Sequence, residues 1–235
     1  MKEKPKNAEG QDIEAFLQAY SPKEYDRPSV TLDIAIFTPS RELLMIQRAN
    51  HPNIGLWALP GGFLEMDESL YDGAARELYE ETNLKNIPME ALGMFGDVSR
   101  DPRTRIITAA FCAMAPREAL QARAGDDAAA ADVFGVEIQS IGEVDIPMRE
   151  DRHPEISLPC TAYGEPLPDR GCGYELILTN KSGKRLSAKV ARAGKSKVLL
   201  QTPCCEKTEG IAGDHALIIF SGLGHFFPFE GEKEA

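Results

Sequence analysis

No stretch of the 235 residues approaches the roughly 20 consecutive apolar positions of a membrane span. The opening Met1-Lys2-Glu3-Lys4-Pro5 is followed by no apolar run of the kind that forms a secretory leader. The expectation is a cytosolic protein that does not span a membrane. Cysteine is sparse and odd in number, five, and with no expected secretory leader this argues against a disulfide framework and fits a reducing compartment. Basic residues are in deficit, 26 Lys and Arg against 37 Asp and Glu, for a formal charge of -11. Backbone recognition of nucleic acid needs clustered Lys and Arg, so no nucleic-acid partner is expected. The deficit leaves room for a small phosphorylated ligand, because Mg²⁺ or Mn²⁺ can bridge carboxylates to phosphate oxygens.

A hydrophobic content of 43% supports a folded chain with a sizeable core. Ile13 to Tyr20 reads as a short amphipathic helix, followed by strands over Val30 to Phe37 and Leu43 to Gln47 and a short apolar strand over Leu56 to Leu59. After the breaker Pro60-Gly61-Gly62 comes a helix, with Asp67 placed as its N-cap, Leu70, Ala74 and Leu78 as its buried stripe, and Asn83 at the left-handed C-cap. Met94 to Val98 and Arg105 to Met114 are predicted as paired strands, Gly125-Asp126-Asp127 as a turn, and Val133 to Gln139 as a strand. From about residue 140 prolines and glycines become frequent, and Tyr174 to Thr179, Arg185 to Ala191 and Val198 to Thr202 read as a three-stranded meander. The expected organisation is a first domain over 1–139, an inserted β subdomain over 140–207, and a closing helix and tail over 208–235.

The chemistry concentrates in Gly62-Phe63-Leu64-Glu65-Met66-Asp67-Glu68 and, seven residues on, Arg76-Glu77-Leu78-Tyr79-Glu80-Glu81-Thr82-Asn83-Leu84. On a helix Glu77, Glu80 and Glu81 fall within an arc of about 100°, beside the apolar stripe. Like charges so placed cost roughly 0.2–0.5 kcal/mol per exposed pair, and more when buried. A hard divalent cation reverses that sign, since oxygen-only ligands suit Mg²⁺ or Mn²⁺. Gly61 and Gly62 allow the backbone to approach, and Arg76 can orient a neighbouring carboxylate.

These residues resemble the signature of the Nudix hydrolase family, G-x5-E-x7-R-E-U-x-E-E-x-G-U with U aliphatic. Gly62, Glu68, Arg76, Glu77, Leu78, Glu80, Glu81 and Leu84 match it, while Asn83 replaces the second glycine. The resemblance implies an α/β/α sandwich with a mixed sheet, to which the 140–207 insert is added. It implies that Glu77, Glu80 and Glu81 ligate Mg²⁺ or Mn²⁺ with help from the Gly61 carbonyl, and that Glu68 and Arg76 shape the catalytic site. Tyr25-Asp26-Arg27-Pro28-Ser29-Val30, Leu56 to Phe63 and Arg100-Asp101-Pro102-Arg103 are similar to segments of the branch that holds ADP-ribose pyrophosphatases and ADP-ribose-sensing regulators. Asp214-His215-Ala216 looks like that family's closing helix. The implied reaction is hydrolysis of a nucleoside diphosphate linked to another moiety, with ADP-ribose giving AMP and ribose 5-phosphate as the leading case. A nucleoside triphosphate or a dinucleotide is the alternative substrate, and a nucleotide sensor without turnover is the alternative function. A homodimer is the family-level expectation.

On the same reading Arg48, Arg100, Asp101 and Arg103 reach substrate phosphate or ribose. Asp126, Asp127 and Glu137 are the nearest candidates for a general base, each with a plain structural reading beside it. Cys160, Cys172, Cys204 and Cys205 fall in the insert with His153; they read as ordinary thiols, with a structural Zn²⁺ site as the alternative. Lys181, Lys184, Arg185, Lys189, Arg192, Lys195 and Lys197 form an acid-free run, read as a solvated strand edge or as a contact for an acidic partner. The insert matches no module that can be named.

Overall fold

The alternation of Ser29–Phe37, the first strand (β1), assigns its side chains to two cores. Leu32, Ile34 and Ile36 join one buried cluster, and Ala35 and Phe37 join another on the opposite face. The computed structural model describes residues 5–24, 26–120, 128–145, 170–192 and 208–227. The elements that follow β1 are β2 (Glu42–Arg48), β3 (Trp57–Ala58), β4 (Gly61–Phe63), β5 (Glu90–Phe95) and β6 (Ile106–Met114). They continue with β7 (Ala128–Asp145), β8 (Arg170–Asn180), β9 (Arg185–Arg192) and β10 (Thr208–Glu209). Three helices accompany them, α1 (Ile13–Ala19), α2 (Leu70–Thr82) and α3 (His215–Phe226), among the described residues.

All the described strands belong to one sheet, ordered β10-β9-β8-β7-β2-β1-β6-β5, with β3 beside β2 and β4 beside β1. The sheet is mixed because β1 and β6 run parallel while the other pairs are antiparallel. Ala74 and Leu78 of α2 pack with Leu32, Ile34, Ile36 and Leu44 on one face. Leu217, Phe220 and Leu223 of α3 pack with Ala35, Phe37, Leu43 and Met45 on the other. Each fully buried Leu, Ile or Phe contributes about 1.5–3 kcal/mol, so the two helices are held by the faces of a shared central strand pair. The result is the expected α/β/α sandwich.

Three sequence expectations need correction. The N-cap of α2 is Ser69, not Asp67: the Ser69 hydroxyl accepts from the Asp72 N–H at 3.2 Å and donates to the Asp72 carboxylate at 2.6 Å. Asp67, Glu68 and Ser69 are all acceptors, and the hydroxyl next to the first helical residue wins because only it reaches the third N–H. The strand expected at Met94 to Val98 is Glu90–Phe95, an edge strand whose exposed side chains lack the alternation that marks a half-buried one. The strand expected at Val133 to Gln139 runs on as β7 to Asp145, and β8 and β9 pair with it in the main sheet. The described part of 140–207 therefore has no separate sheet, and its Leu176, Leu178, Leu186 and Val190 enter the α3 core.

The expected C-cap is present: Asn83 is left-handed at φ 59° and its N–H bonds the Tyr79 carbonyl. The turn at Gly125-Asp126-Asp127 and the strand at Val198 to Thr202 lie outside the described residues. No helix among the described residues is long and apolar enough to cross a membrane.

Candidate active site

Where β4 pairs with β1, Gly61 lies opposite Asp33 and Gly62 opposite Leu32. Gly61 has φ +157°, and a Cβ there would collide with the Leu32 carbonyl oxygen. A Cβ on Gly62 would come within 2.5 Å of the Glu77 carboxyl carbon. Both glycines thus leave space that the neighbouring backbone and α2 occupy, which is why α2 sits directly against this strand.

On α2 the carboxyls sort by environment. Glu81 is 8% exposed and accepts the Gly61 N–H at 2.7 Å. Burial pushes its carboxyl up to about 8; the Gly61 N–H opposes the shift, and the nearby charges of Glu77 and Asp33 add to it. Glu77 is also raised, by burial first, although Arg76 pulls the other way. Glu80, with a side chain 54% exposed, reaches the Arg76 guanidinium at 3.0 Å. Glu68 is held below the usual carboxylate range by the Arg76 hydrogen bond and by the Glu65 N–H.

Arg76 is the hub of this group. Its Nε and Nη2 donate to the two Glu68 oxygens at 3.0 and 2.6 Å, Nη2 also donates to the Phe63 carbonyl at 3.0 Å, and Nη1 donates to Glu77 at 2.8 Å and Glu80 at 3.0 Å. A guanidinium has five N–H groups, and these five bonds use them all. Glu77 and Glu80 thus turn to Arg76, and Glu81 turns to Gly61. Among the described residues no three His, Cys, Asp or Glu side chains form a ready cation cage. The donor set still fits a hard divalent cation. Three carboxyls face one guanidinium with Glu81 on the same helix, all donors are oxygens, and the Glu77 carboxyl occupies the space left by Gly62.

Beyond Gly61 a cleft opens, and Arg48, Gly61, Glu81, Arg100, Asp101 and Arg103 all line it. The structure therefore brings together residues from β2, β4, α2 and the 96–105 turn. Arg48 Nε donates to the Pro52 carbonyl at 2.8 Å. Arg103 pairs with Asp101 at 2.8 Å, and its guanidinium lies over the half-exposed Phe63 ring at 5.4 Å. That pairing holds the Asp101 carboxyl low. Arg100 is nearly sealed from solvent and donates two bonds to Asp214, at 2.8 and 2.9 Å, with Asp33 at 3.6 Å.

Sequence reasoning missed Asp33, Phe63 and His215 as lining of this cleft. Asp33 carried a signal, being the lone acid in the apolar run Leu32 to Phe37; its carboxylate accepts from Thr108 Oγ1 at 2.7 Å. Of the candidate bases, Asp126 and Asp127 lie outside the described residues, and Glu137 is exposed on β7 opposite Ile177, apart from the cleft lining. Cys172 is an exposed free thiol on β8, and Cys160, Cys204, Cys205 and His153 lie outside the described residues.

A mixed sheet between two helices, with a carboxyl-rich helix set against a Gly-Gly strand beside an arginine-lined cleft, defines an α/β protein suited to a polyanionic ligand and its counter-cation. The chain matches the NUDIX domain over residues 27–156, more than half its length, and belongs to that family. Over 113 residues it is 38% identical to the ADPR responsive transcriptional repressor NtrR of Acinetobacter baylyi, covering 46% of this chain and 45% of that protein. Over 110 residues it is 37% identical to the ADP-ribose pyrophosphatase of Methanocaldococcus jannaschii, covering 47% of this chain and 63% of that one. The chain thus spans between 45% and 63% of these relatives' length. Among solved structures, a MutT/nudix family protein from Enterococcus faecalis is similar with a TM-score of 0.61 and 25% identity, over 92% of this chain and 69% of that one.

Proposed function

We propose that this chain is a divalent-metal-dependent pyrophosphohydrolase acting on a nucleoside diphosphate linked to another moiety, with ADP-ribose, giving AMP and ribose 5-phosphate, as the leading substrate. The observation that carries the proposal is the seating of the α2 carboxyls against Gly61 and Gly62 at the edge of a cleft lined by Arg48, Arg100 and Arg103. Similarity to a protein named ADP-ribose pyrophosphatase supports the choice of substrate.

In this reading Glu77, Glu80 and Glu81 hold Mg²⁺ or Mn²⁺, with the Gly61 carbonyl beside them. When bound, the cation neutralises the diphosphate and lowers the pKa of an attacking water. Arg76 keeps Glu68 as a two-point anchor, so the α2 carboxyls stay aligned with the Phe63 carbonyl. Arg48 and Arg103 meet the phosphates as charged donors from the cleft wall, and Asp101 sets the direction of Arg103.

One observation favours a second reading: the similarity to a protein named as an ADPR responsive repressor suits a nucleotide sensor. The unbroken Glu77, Glu80 and Glu81 set favours turnover. Incubation with Mg²⁺ or Mn²⁺ and a panel of ADP-ribose, dinucleotides, nucleotide sugars and nucleoside triphosphates, read by chromatography, decides between them. Release of AMP from ADP-ribose is the expected result. Binding of ADP-ribose without turnover of any compound would transfer the assignment to the sensor.

A further inference from the structure

His215, the first residue of α3, lines the cleft, and its side chain is mostly buried with a small part open to solvent. Its Nδ1 accepts the Leu59 backbone N–H at 3.1 Å. A ring nitrogen that accepts carries no proton, so the neutral ring holds its proton on Nε2. Among the described residues, no hydrogen bond engages Nε2–H and it is not sealed from solvent either, since the only buried side-chain nitrogens without a hydrogen-bond partner are those of Trp57 and Arg117. His215 lines the same cleft as Asp33, Arg100 and Arg103. The fold therefore fixes one tautomer and leaves a single neutral donor on a residue of the cleft wall.

Asp214 strengthens this reading. It stands at the N-cap position of α3 but makes no side-chain cap bond, because its carboxylate is engaged by Arg100. A capping acid is thereby diverted from its usual partner to fix the turn facing His215. Leu59 is two residues before Gly61, so the same imidazole that faces the cleft also braces the strand carrying the Gly-Gly pair.

We infer that His215 is a ligand-binding residue whose Nε2–H donates to an oxygen of the sugar-diphosphate part of a nucleotide ligand. This rests on the function proposed above, and it adds to the charged arginines a neutral donor that tests position without adding charge.

Isosteric substitutions separate the two edges of the ring. In His215→Asn the amide oxygen takes the place of Nδ1 and can accept from Leu59, but nothing replaces Nε2–H. In His215→Gln the amide nitrogen takes the place of Nε2 and the acceptor for Leu59 is lost. Affinity is measured by calorimetry with the α,β-methylene analogue of ADP-ribose and Mg²⁺, so that turnover plays no part. The expected result for Asn is affinity weaker by about tenfold at an unchanged melting temperature, with Gln retaining affinity better than Asn. Equal affinity of wild type and Asn would overturn the inference and leave His215 as a brace only. If Asn does not fold, Gln and Met, which both lack the brace, make the same comparison of donor against non-donor; equal affinity there is also fatal. Failure of the wild type to bind the analogue is a different outcome, because it overturns the proposed function itself and the inference with it.

Discussion

Arg100 and Asp214 lie 114 positions apart and meet in a two-point ion pair, with Nε and Nη2 donating to the two carboxylate oxygens at 2.8 and 2.9 Å. The pair joins the 96–105 turn to the start of α3, and the Arg100 side chain is 7% exposed. Removing one partner of a buried pair leaves the other uncompensated, but the two removals are not equivalent here. Asp214→Asn keeps an acceptor and leaves Arg100 beside Asp33. Arg100→Met leaves the buried Asp33 and the partly buried Asp214 together without a cation, with Glu81 raised nearby in part by the Asp33 charge. We expect a stability loss of about 1 kcal/mol for Asp214→Asn and of about 3 kcal/mol or more for Arg100→Met, measured by urea unfolding. Equal losses would contradict this account of the cluster.

Substituting the two glycines of β4 should separate fold from site. Gly61→Ala drives a Cβ into the Leu32 carbonyl, a backbone atom that cannot move without breaking the β1–β4 pairing. Gly62→Ala meets only the end of the Glu77 side chain, at 2.5 Å from its carboxyl carbon, and a side chain can swing away. The expected outcome is a lower melting temperature for Gly61→Ala. Gly62→Ala should fold nearly normally yet, on the proposed reaction, turn over ADP-ribose at least about tenfold more slowly, because Glu77 is displaced. Melting curves paired with steady-state rates check both halves.

What was legible in the sequence and what was not follows from the range of the interactions. Glu77, Glu80, Glu81 and Arg76 are local to one helix, so their spacing alone put them together, and Asn83 marked the helix exit because few residues adopt its left-handed conformation. The cleft also drew on residues that family likeness could mark, Arg48, Arg100, Asp101 and Arg103. The ties among Asp33, Thr108, Arg100 and Asp214 join β1, β6, the 96–105 turn and the start of α3, and have no local signature. Glu90–Phe95 was misplaced because an edge strand exposes most of its side chains and so loses the period of two. The change of texture at residue 140 suggested a boundary, yet hydrogen bonding carries β7 across it through a bulge near Gly142.

Glu81 predicts a pH dependence. Its carboxyl is raised from 4.5 to about 8 by burial, so the native state holds a proton that the unfolded chain releases between those values. Its contribution to stability is complete below the unfolded value and is lost as pH rises through the folded one, so stability in chelator should fall from about pH 5 to pH 8.5. Glu77 shifts in the same direction, whereas Glu68 shifts downward and acts below this window. Glu81→Gln should flatten the curve. If Glu81 ligates the cation it must first lose its proton, so apparent Mn²⁺ affinity of the wild type should rise with pH up to about 8 and then level off. Melting temperatures in chelator and Mn²⁺ titrations across the range test the two statements independently.

Glu80 separates stability from chemistry most cleanly, because it contributes so little to the first. Its side chain is 54% exposed, and its single described partner is Arg76, at 3.0 Å across one turn of α2. An exposed pair of that kind contributes about 0–1 kcal/mol, and Arg76 retains Glu68 and Glu77 when it is gone. Glu80→Gln should therefore leave the melting temperature in chelator almost unchanged. If Glu80 is a metal ligand, the same substitution should weaken Mn²⁺ binding and reduce turnover by at least about a hundredfold, since an amide oxygen is a neutral donor where the cation needs a charged one. Retained turnover at wild-type stability would remove Glu80 from the metal site, leaving Glu77 and Glu81 as the carboxylates of α2 that could hold the ion.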